Sequence, residues 1–270
     1  MSTRRKRIRA HANPLADSDI IAPSHPDAYN WGAHYPKYIT PIPEGQEAIT
    51  PERRVDFADV GCGFGGLLHT LGPIFPDKLV LGVEIRPRVV QIVEKSIKAA
   101  RENAATEHTV TDGDIEITSN QKPTPYHNIS VIRSNIMKFV PNYFVKGQLE
   151  KMFFLFPDPH FKRSKYRLRV INPLFLDYYA YAIKEGGILY TITDVRDLHD
   201  WMKLHLDEHP LFERIPDEDL ADDPCFAAIH TGTQEGQKVS RNHGDKWPAV
   251  YRRVAYDPAR PGKKRVTLLN

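Results

Sequence analysis

The stretch that most restricts the fold begins at Val55. Val55-Asp56-Phe57-Ala58-Asp59-Val60 reads as a buried strand, and Gly61-Cys62-Gly63-Phe64-Gly65-Gly66 follows it as a tight glycine loop. Leu67, Leu68 and Leu71 then start a helix, and Leu79-Val80-Leu81-Gly82-Val83-Glu84 is a second strand ending in an acid. Strand, glycine loop, helix and strand in this order specify the first βαβ unit of a nucleotide-type α/β fold. The loop fits G-x-G-x-x-G. Its glycines let the backbone turn sharply and approach a ligand closely.

The alternation continues. Val89, Val90, Ile92, Val93, Ile97 and Ala100 recur near helical spacing. Strands are expected at Ile129 to Ile132, at Met152 to Phe156 (closed by Pro157) and at Ile188 to Thr193, the last after a break at Gly186-Gly187. Helices are expected over Pro173 to Ala182 and Leu198 to Leu206, with a last strand over Ala249 to Val254. The pattern implies α/β: a doubly wound, mainly parallel sheet. It accounts for residues 51–258, preceded by a basic, Pro-rich, largely irregular arm at 1–50 and followed by a basic tail at 259–270. Tyr29, Trp31, Tyr35 and Tyr38 suggest that the second half of the arm docks on the domain. The polar stretch around 105–128 receives no role.

In such sheets ligands bind beyond the carboxyl ends of the strands, where strand order reverses. Glu84 lies there, about twenty residues past the loop, placed to accept from ribose hydroxyls. Loop and acid alone permit a dinucleotide-binding oxidoreductase as well as a methyltransferase. Two features favour S-adenosylmethionine. Asp59, two residues before the first glycine, can hold an ammonium that a nicotinamide cofactor lacks. The sheet also consumes most of the 270 residues, leaving little for a separate substrate domain.

Phe156-Pro157-Asp158-Pro159-His160 closes the fourth strand. Two prolines fix the backbone around one carboxylate. Asp158 can accept from N1–H and the exocyclic amine of guanine together, leaving N7 exposed. That atom carries no proton at neutral pH, so alignment can suffice for catalysis. The bland alternative for Asp158 is a helix-capping turn residue. Lys162, Arg163, Lys165, Arg167 and Arg169 follow directly, with Phe161 and Tyr166 among them, a pattern suited to an RNA backbone with bases stacked on the rings.

The net charge is only +3, from 37 basic and 34 acidic residues, but the basic residues cluster. Besides the segment after Asp158 there are Arg4-Arg5-Lys6-Arg7 with Arg9, and Arg252, Arg253, Arg260, Lys263, Lys264 and Arg265. Each alone passes for a solvated face; together they point to nucleic acid. The N-terminal run reads as a nuclear-import signal or a phosphate-binding arm. Two widely spaced cysteines, Cys62 and Cys225, cannot make a metal site by themselves, and no metal is expected. No apolar run nears the roughly 20 residues that cross a bilayer, so no membrane partner is expected.

The ordered strings Asp-Val-Gly-Cys-Gly-Phe-Gly-Gly, Gly-Val-Glu-Ile-Arg, Phe-Phe-Leu-Phe-Pro-Asp-Pro-His-Phe-Lys-Arg, Thr-Ile-Thr-Asp-Val and Thr-Gln-Glu-Gly resemble the signature of tRNA (guanine-N7-)-methyltransferases from about residue 20 to residue 254. The fourth-strand string is the most specific of them. Arg9-Ala10-His11-Ala12-Asn13-Pro14 and the long arm resemble the eukaryotic catalytic subunit. The resemblance implies a class I methyltransferase using S-adenosylmethionine, with Asp158 in the active site. It implies a cofactor pocket lined by Asp59, Gly61, Gly63 and Gly65, with Glu84 on the ribose and Arg86 beside it. Asn135 and Ile136 would flank the adenine, Leu155 would complete the pocket, and Thr233 and Glu235 would meet the amino-acid end or the substrate. It further implies tRNA as substrate at a variable-loop guanine, a WD40-repeat partner subunit, and a nuclear location. A non-catalytic RNA-binding protein of the same fold, or methylation of another RNA class, remains open at this point.

Overall fold

A computed structural model describes residues 13–14, 19–103 and 126–257. The sheet is built from β1 (Phe57–Val60), β2 (Val80–Glu84), β3 (Ile129–Arg133), β4 (Leu149–Leu155), β5 (Ile183–Thr193), β6 (Phe212–Ile215) and β7 (Trp247–Arg253). The helices are α1 (Trp31–His34), α2 (Gly66–Ile74), α3 (Pro87–Asn103), α4 (Ile136–Tyr143), α5 (Pro173–Ala182), α6 (Arg196–Glu208), α7 (Pro224–Thr231) and α8 (Gln234–Arg241).

The strands lie in the order β3-β2-β1-β4-β5-β7-β6. β1 to β5 pair in parallel, and β7 enters antiparallel between β5 and β6. The order reverses between β1 and β4, so the glycine loop and the Pro-Asp-Pro segment leave the sheet side by side. This is the crevice in which a doubly wound sheet binds ligands.

Both faces are covered, which is why the central strands are apolar runs without alternation. On one face Ala58, Val60, Leu81, Met152 and Phe154 pack with residues of α4, α5 and α6. On the other Phe57, Val80, Phe153 and Tyr190 pack with residues of α2, α3 and α7.

Four features differ from the sequence reading. Gly186 and Gly187 do not separate helix from strand; they lie inside β5, where the register against β4 shifts. Gly186 has φ +79°, the left-handed value that bulges favour. Second, β6, α1, α4, α7 and α8 have no counterpart in that reading. They are short, and α8 carries Gln, Glu, Lys, Ser and Arg around a single buried valine, Val239. Third, the arm docks through Trp31 and Tyr35 as its aromatics suggest, but it is already buried at Ile20, ahead of its second half; Ile39 is buried with the sheet residues as well. The Tyr35 hydroxyl donates to the Val80 carbonyl at 3.0 Å. Fourth, β4 begins earlier than expected, at Leu149, and Phe156 lies just beyond it. The clusters at residues 4–9 and 260–265, the 259–270 tail and most of the 105–128 stretch lie outside the described residues.

Candidate active site

At the strand crossover a cavity of about 670 Å³ opens, of the size that small-molecule sites occupy. It is bounded by the tips of β1, β2, β4 and β5 and the starts of α4 and α8. Among the described residues no helix is long and apolar enough to cross a membrane.

The glycine loop forms its floor. The Gly61 and Cys62 amides donate to the Val83 carbonyl at 2.7 and 3.2 Å, locking the loop onto the end of β2. Gly61 and Gly63, with φ of +72° and +54°, line the cavity. Gly65 does not line it. It caps α2 with φ +79°, and a Cβ there would meet Val93 Cγ1 at 2.8 Å. Its glycine serves the turn and the packing of α2 on α3. Gly66 admits a neighbour: a Cβ there would collide with the Gly232 carbonyl oxygen. This contact brings Thr233 and the start of α8 to the rim. Thr233, Gln234, Glu235 and Lys238 all line the cavity. The Thr233 hydroxyl caps α8 by accepting from the Gly236 amide at 2.9 Å.

Two carboxylates stand in the wall. Asp59 and Glu84 are 2% and 3% exposed. Burial, and then the charge of Glu84, push the Asp59 carboxyl up to about 7. Glu84 receives a fork of donors from Arg86: Nε at 3.1 Å, Nη2 at 2.9 Å and the backbone amide at 2.9 Å. The Arg86 guanidinium is held charged chiefly by Glu84 and also by Asp158. It therefore links the tips of β2 and β4 electrostatically. Burial raises the Cys62 thiol far above its ordinary value, so it is an inert wall group.

Part of the lining is apolar. Ile136, Met137 and Leu155 form it. Asn135 also lines the cavity, but its amide is engaged. The oxygen caps α4 by accepting from the Met137 amide at 3.1 Å, and Nδ2 donates to the Pro14 carbonyl at 2.7 Å. Pro14, from the arm, is thus a cavity residue that the sequence reading missed; its position depends on a contact 121 residues away along the chain. Asp194 and Lys238 were missed too. Asp194 directly follows β5, and its place at a strand's carboxyl end was the available signal. For Lys238, one charge among several on a polar helix, no signal existed.

The segment after β4 completes the site. Phe156 donates its amide to the Ile192 carbonyl at 2.8 Å, then turns with φ +48° immediately before Pro157. A residue preceding proline ordinarily stays extended, so this conformation is strained. Asp158 lines the cavity together with Pro157, Pro159 and His160, and His160 has φ +45°.

Beyond it, Lys162, Arg163, Lys165 and Arg167 are exposed on and beside a 3-10 turn over Arg163–Leu168, and Phe161 is 70% exposed. Arg169 departs from the expectation of a phosphate contact. It is 2% exposed, and its Nε donates to the Pro159 carbonyl at 2.8 Å. Tyr166 is not free to stack on a base either: its ring lies 5.1 Å from that of Trp201, and the Arg169 guanidinium sits 3.8 Å from its centroid.

A doubly wound sheet with an acid before the glycine loop, an acid at the tip of the next strand and a Pro-flanked carboxylate at the switch point defines a class I methyltransferase. The family described as "Putative methyltransferase" matches residues 53–249. The chain is 48% identical to the tRNA (guanine-N(7)-)-methyltransferase of Caenorhabditis briggsae, covering 93% of this chain and 88% of the relative. It is 46% identical to the human protein of the same name, covering 92% and 86%, and 47% identical to that of Zea mays, covering 92% and 91%. The chain belongs to the tRNA (guanine-N(7)-)-methyltransferase family.

The methyl donor is S-adenosylmethionine, and the residues present suit it. Among the described residues the buried Asp59 carboxylate has no side-chain donor of its own, and an ammonium would supply one. Glu84 retains acceptor capacity for ribose hydroxyls beside its Arg86 fork. The apolar wall of Ile136, Met137 and Leu155 suits a purine face.

Proposed function

We propose that this chain transfers a methyl group from S-adenosylmethionine to N7 of a guanine in the variable loop of tRNA, as the catalytic subunit of a complex with a WD40-repeat protein. The observation that carries the reading is the position of Asp158. It shares one cavity with Asp59 and Glu84, and exposed Lys162, Arg163, Lys165 and Arg167 follow it.

When bound, the cofactor supplies an electrophilic methyl on a sulfonium, so that an N7–C bond forms, an S–C bond breaks and S-adenosylhomocysteine leaves. The protein's part is placement. The Asp158 carboxylate accepts from N1–H and the exocyclic amine of guanine, which turns N7 towards the donor. N7 has a free lone pair at neutral pH, so no side chain need remove a proton, and the barrier falls through alignment. Arg86 keeps Glu84 in place and adds positive charge near Asp158. The exposed cations neutralise RNA phosphates, and Phe161 offers an apolar face for a base.

The WD40 partner, the variable-loop target and a nuclear location rest on the resemblance to the eukaryotic catalytic subunit. The Arg4-Arg5-Lys6-Arg7 run supports the last of these. The test is to incubate the chain with S-adenosylmethionine and bulk tRNA, with and without a WD40 partner, then reduce and treat with aniline, which cuts at N7-methylguanine. A variable-loop cut that disappears in Asp158→Ala is expected. Methyl transfer without a cut would move the target to another atom, and no transfer even with the partner would leave a non-catalytic RNA binder.

A further inference from the structure

The segment from Phe156 to His160 has an anchoring problem. Pro157 and Pro159 carry no N–H, so neither can donate a hydrogen bond to the sheet. One end is held by the Phe156 amide on the Ile192 carbonyl. At the other end the Pro159 carbonyl, directly after Asp158, accepts from Arg169 Nε at 2.8 Å.

Arg169 is an unusual choice of anchor. It is 2% exposed; Asp197 attracts its charge, but among the described residues no carboxylate forms a salt bridge with it. Its guanidinium lies 3.8 Å from the Tyr166 ring centroid and 4.9 Å from that of Trp201. Trp201 is itself fixed by its indole N–H on the Ile171 carbonyl at 2.8 Å. Burying a cation that has no salt bridge is costly, and an apolar side chain would fill the slot at less cost. What only the guanidinium provides is a donor at a fixed angle on a plane held by two rings.

We propose that Arg169 is a positioning residue that fixes the Pro159 carbonyl and thereby aims the Asp158 carboxylate into the cavity. This rests on the reading of Asp158 as the group that holds the reacting base. Two strained residues, Phe156 and His160, flank the segment, and strain of that kind persists only where neighbours over-determine the backbone. Arg169 is one such neighbour, because it holds the carbonyl that lies between Asp158 and His160.

The test compares wild type, Arg169→Met and Arg169→Lys, each assayed with its partner and with tRNA. Rates are expressed per site competent to bind S-adenosylhomocysteine, so that unfolded protein does not count. Backbone hydrogen exchange of the peptide spanning 156–162 is followed in parallel. Arg169→Met should lower kcat at least tenfold while the KM for tRNA and the affinity for S-adenosylhomocysteine change less than twofold. Exchange should rise in 156–162 and not in the central strands. Arg169→Lys keeps a donor but loses the plane, and should fall between the other two. It also serves if the Met variant does not fold.

A raised KM with unchanged kcat would overturn the proposal and return Arg169 to the phosphate contacts. Unchanged exchange in 156–162, or exchange raised throughout the sheet, would overturn it as well. If wild type itself transferred no methyl to tRNA, the proposed function would fail. The exchange arm would still decide whether Arg169 holds the segment.

Discussion

Glu84 stands close enough to Asp59 for its charge to add to the burial that lifts the Asp59 carboxyl to about 7. The two acids lie near the carboxyl ends of neighbouring parallel strands, and among the described residues Glu84 is forked by Arg86 whereas Asp59 has no such partner. A cationic group delivered to Asp59 therefore removes a penalty that the free protein carries.

Cofactor binding should consequently depend on pH. An aspartate raised from an ordinary 3.8 to about 7 binds its proton more tightly in the folded protein than in the unfolded one. Its contribution favours folding at low pH and is lost as pH rises towards 7. An ammonium ligand needs the ionised form, so affinity runs the other way. Binding of S-adenosylhomocysteine should strengthen about tenfold between pH 6 and pH 8. Calorimetric titration across that range checks this, and Asp59→Asn should give a flatter profile. A flat wild-type profile would remove Asp59 from the ammonium site.

Asp158→Ala should reduce turnover on the order of a hundredfold or more, the scale of losing one preorganised polar contact to a reacting group. Affinity for S-adenosylhomocysteine should stay within a fewfold of wild type, because Asp59 and Glu84 are untouched. Equilibrium binding measured beside single-turnover rates separates the two effects. Lost cofactor binding would place Asp158 in the other half of the cavity.

Lys162→Ala with Arg163→Ala removes two exposed cations. Each phosphate contact contributes roughly 0.7 to 0.9 to the slope of log affinity against log salt. The slope for tRNA should fall by about 1.5, with kcat at saturating tRNA nearly unchanged. An unaltered slope would mean that this segment does not touch phosphate.

Tyr35 tests whether the arm belongs to the folded unit. It is fully buried, and its hydroxyl donates to Val80. Tyr35→Ala should cost about 3 to 5 kcal/mol by removing a large core side chain. Tyr35→Phe should cost about 0.5 to 1.5 kcal/mol by removing one hydrogen bond. Denaturant unfolding measures both. A negligible loss in the alanine variant would show that the arm docks without contributing to the core.

The sequence announces the parallel sheet because its central strands are covered on both faces and become uninterrupted apolar runs. The cavity is legible in part for the same reason: a doubly wound sheet places ligands at strand tips, and Asp59, Glu84 and Asp158 sit there. β6 and α8 are hidden because a few buried residues in a short polar segment make no pattern. The docking of the arm is legible in its aromatics, since Trp31 and Tyr35 are packed with the sheet residues, whereas the earlier burial of Ile20 has no such cue. Arg169 misleads because a run of basic residues reports how many charges are present, not which way each side chain turns. The rings of Tyr166 and Trp201, the latter over thirty residues on, turn this one inward.

β7 comes late in the chain yet lies between β5 and β6 in the sheet. A nascent chain that has left the ribosome as far as α8 already contains all of β1 to β6, but β5 and β6 then have unpaired edges where β7 belongs. Exposed edges of this kind recruit other strands. Synthesis of the last described strand is thus the step that seals the sheet. A message truncated before Trp247 would yield a sticky, aggregation-prone product rather than a merely shortened enzyme.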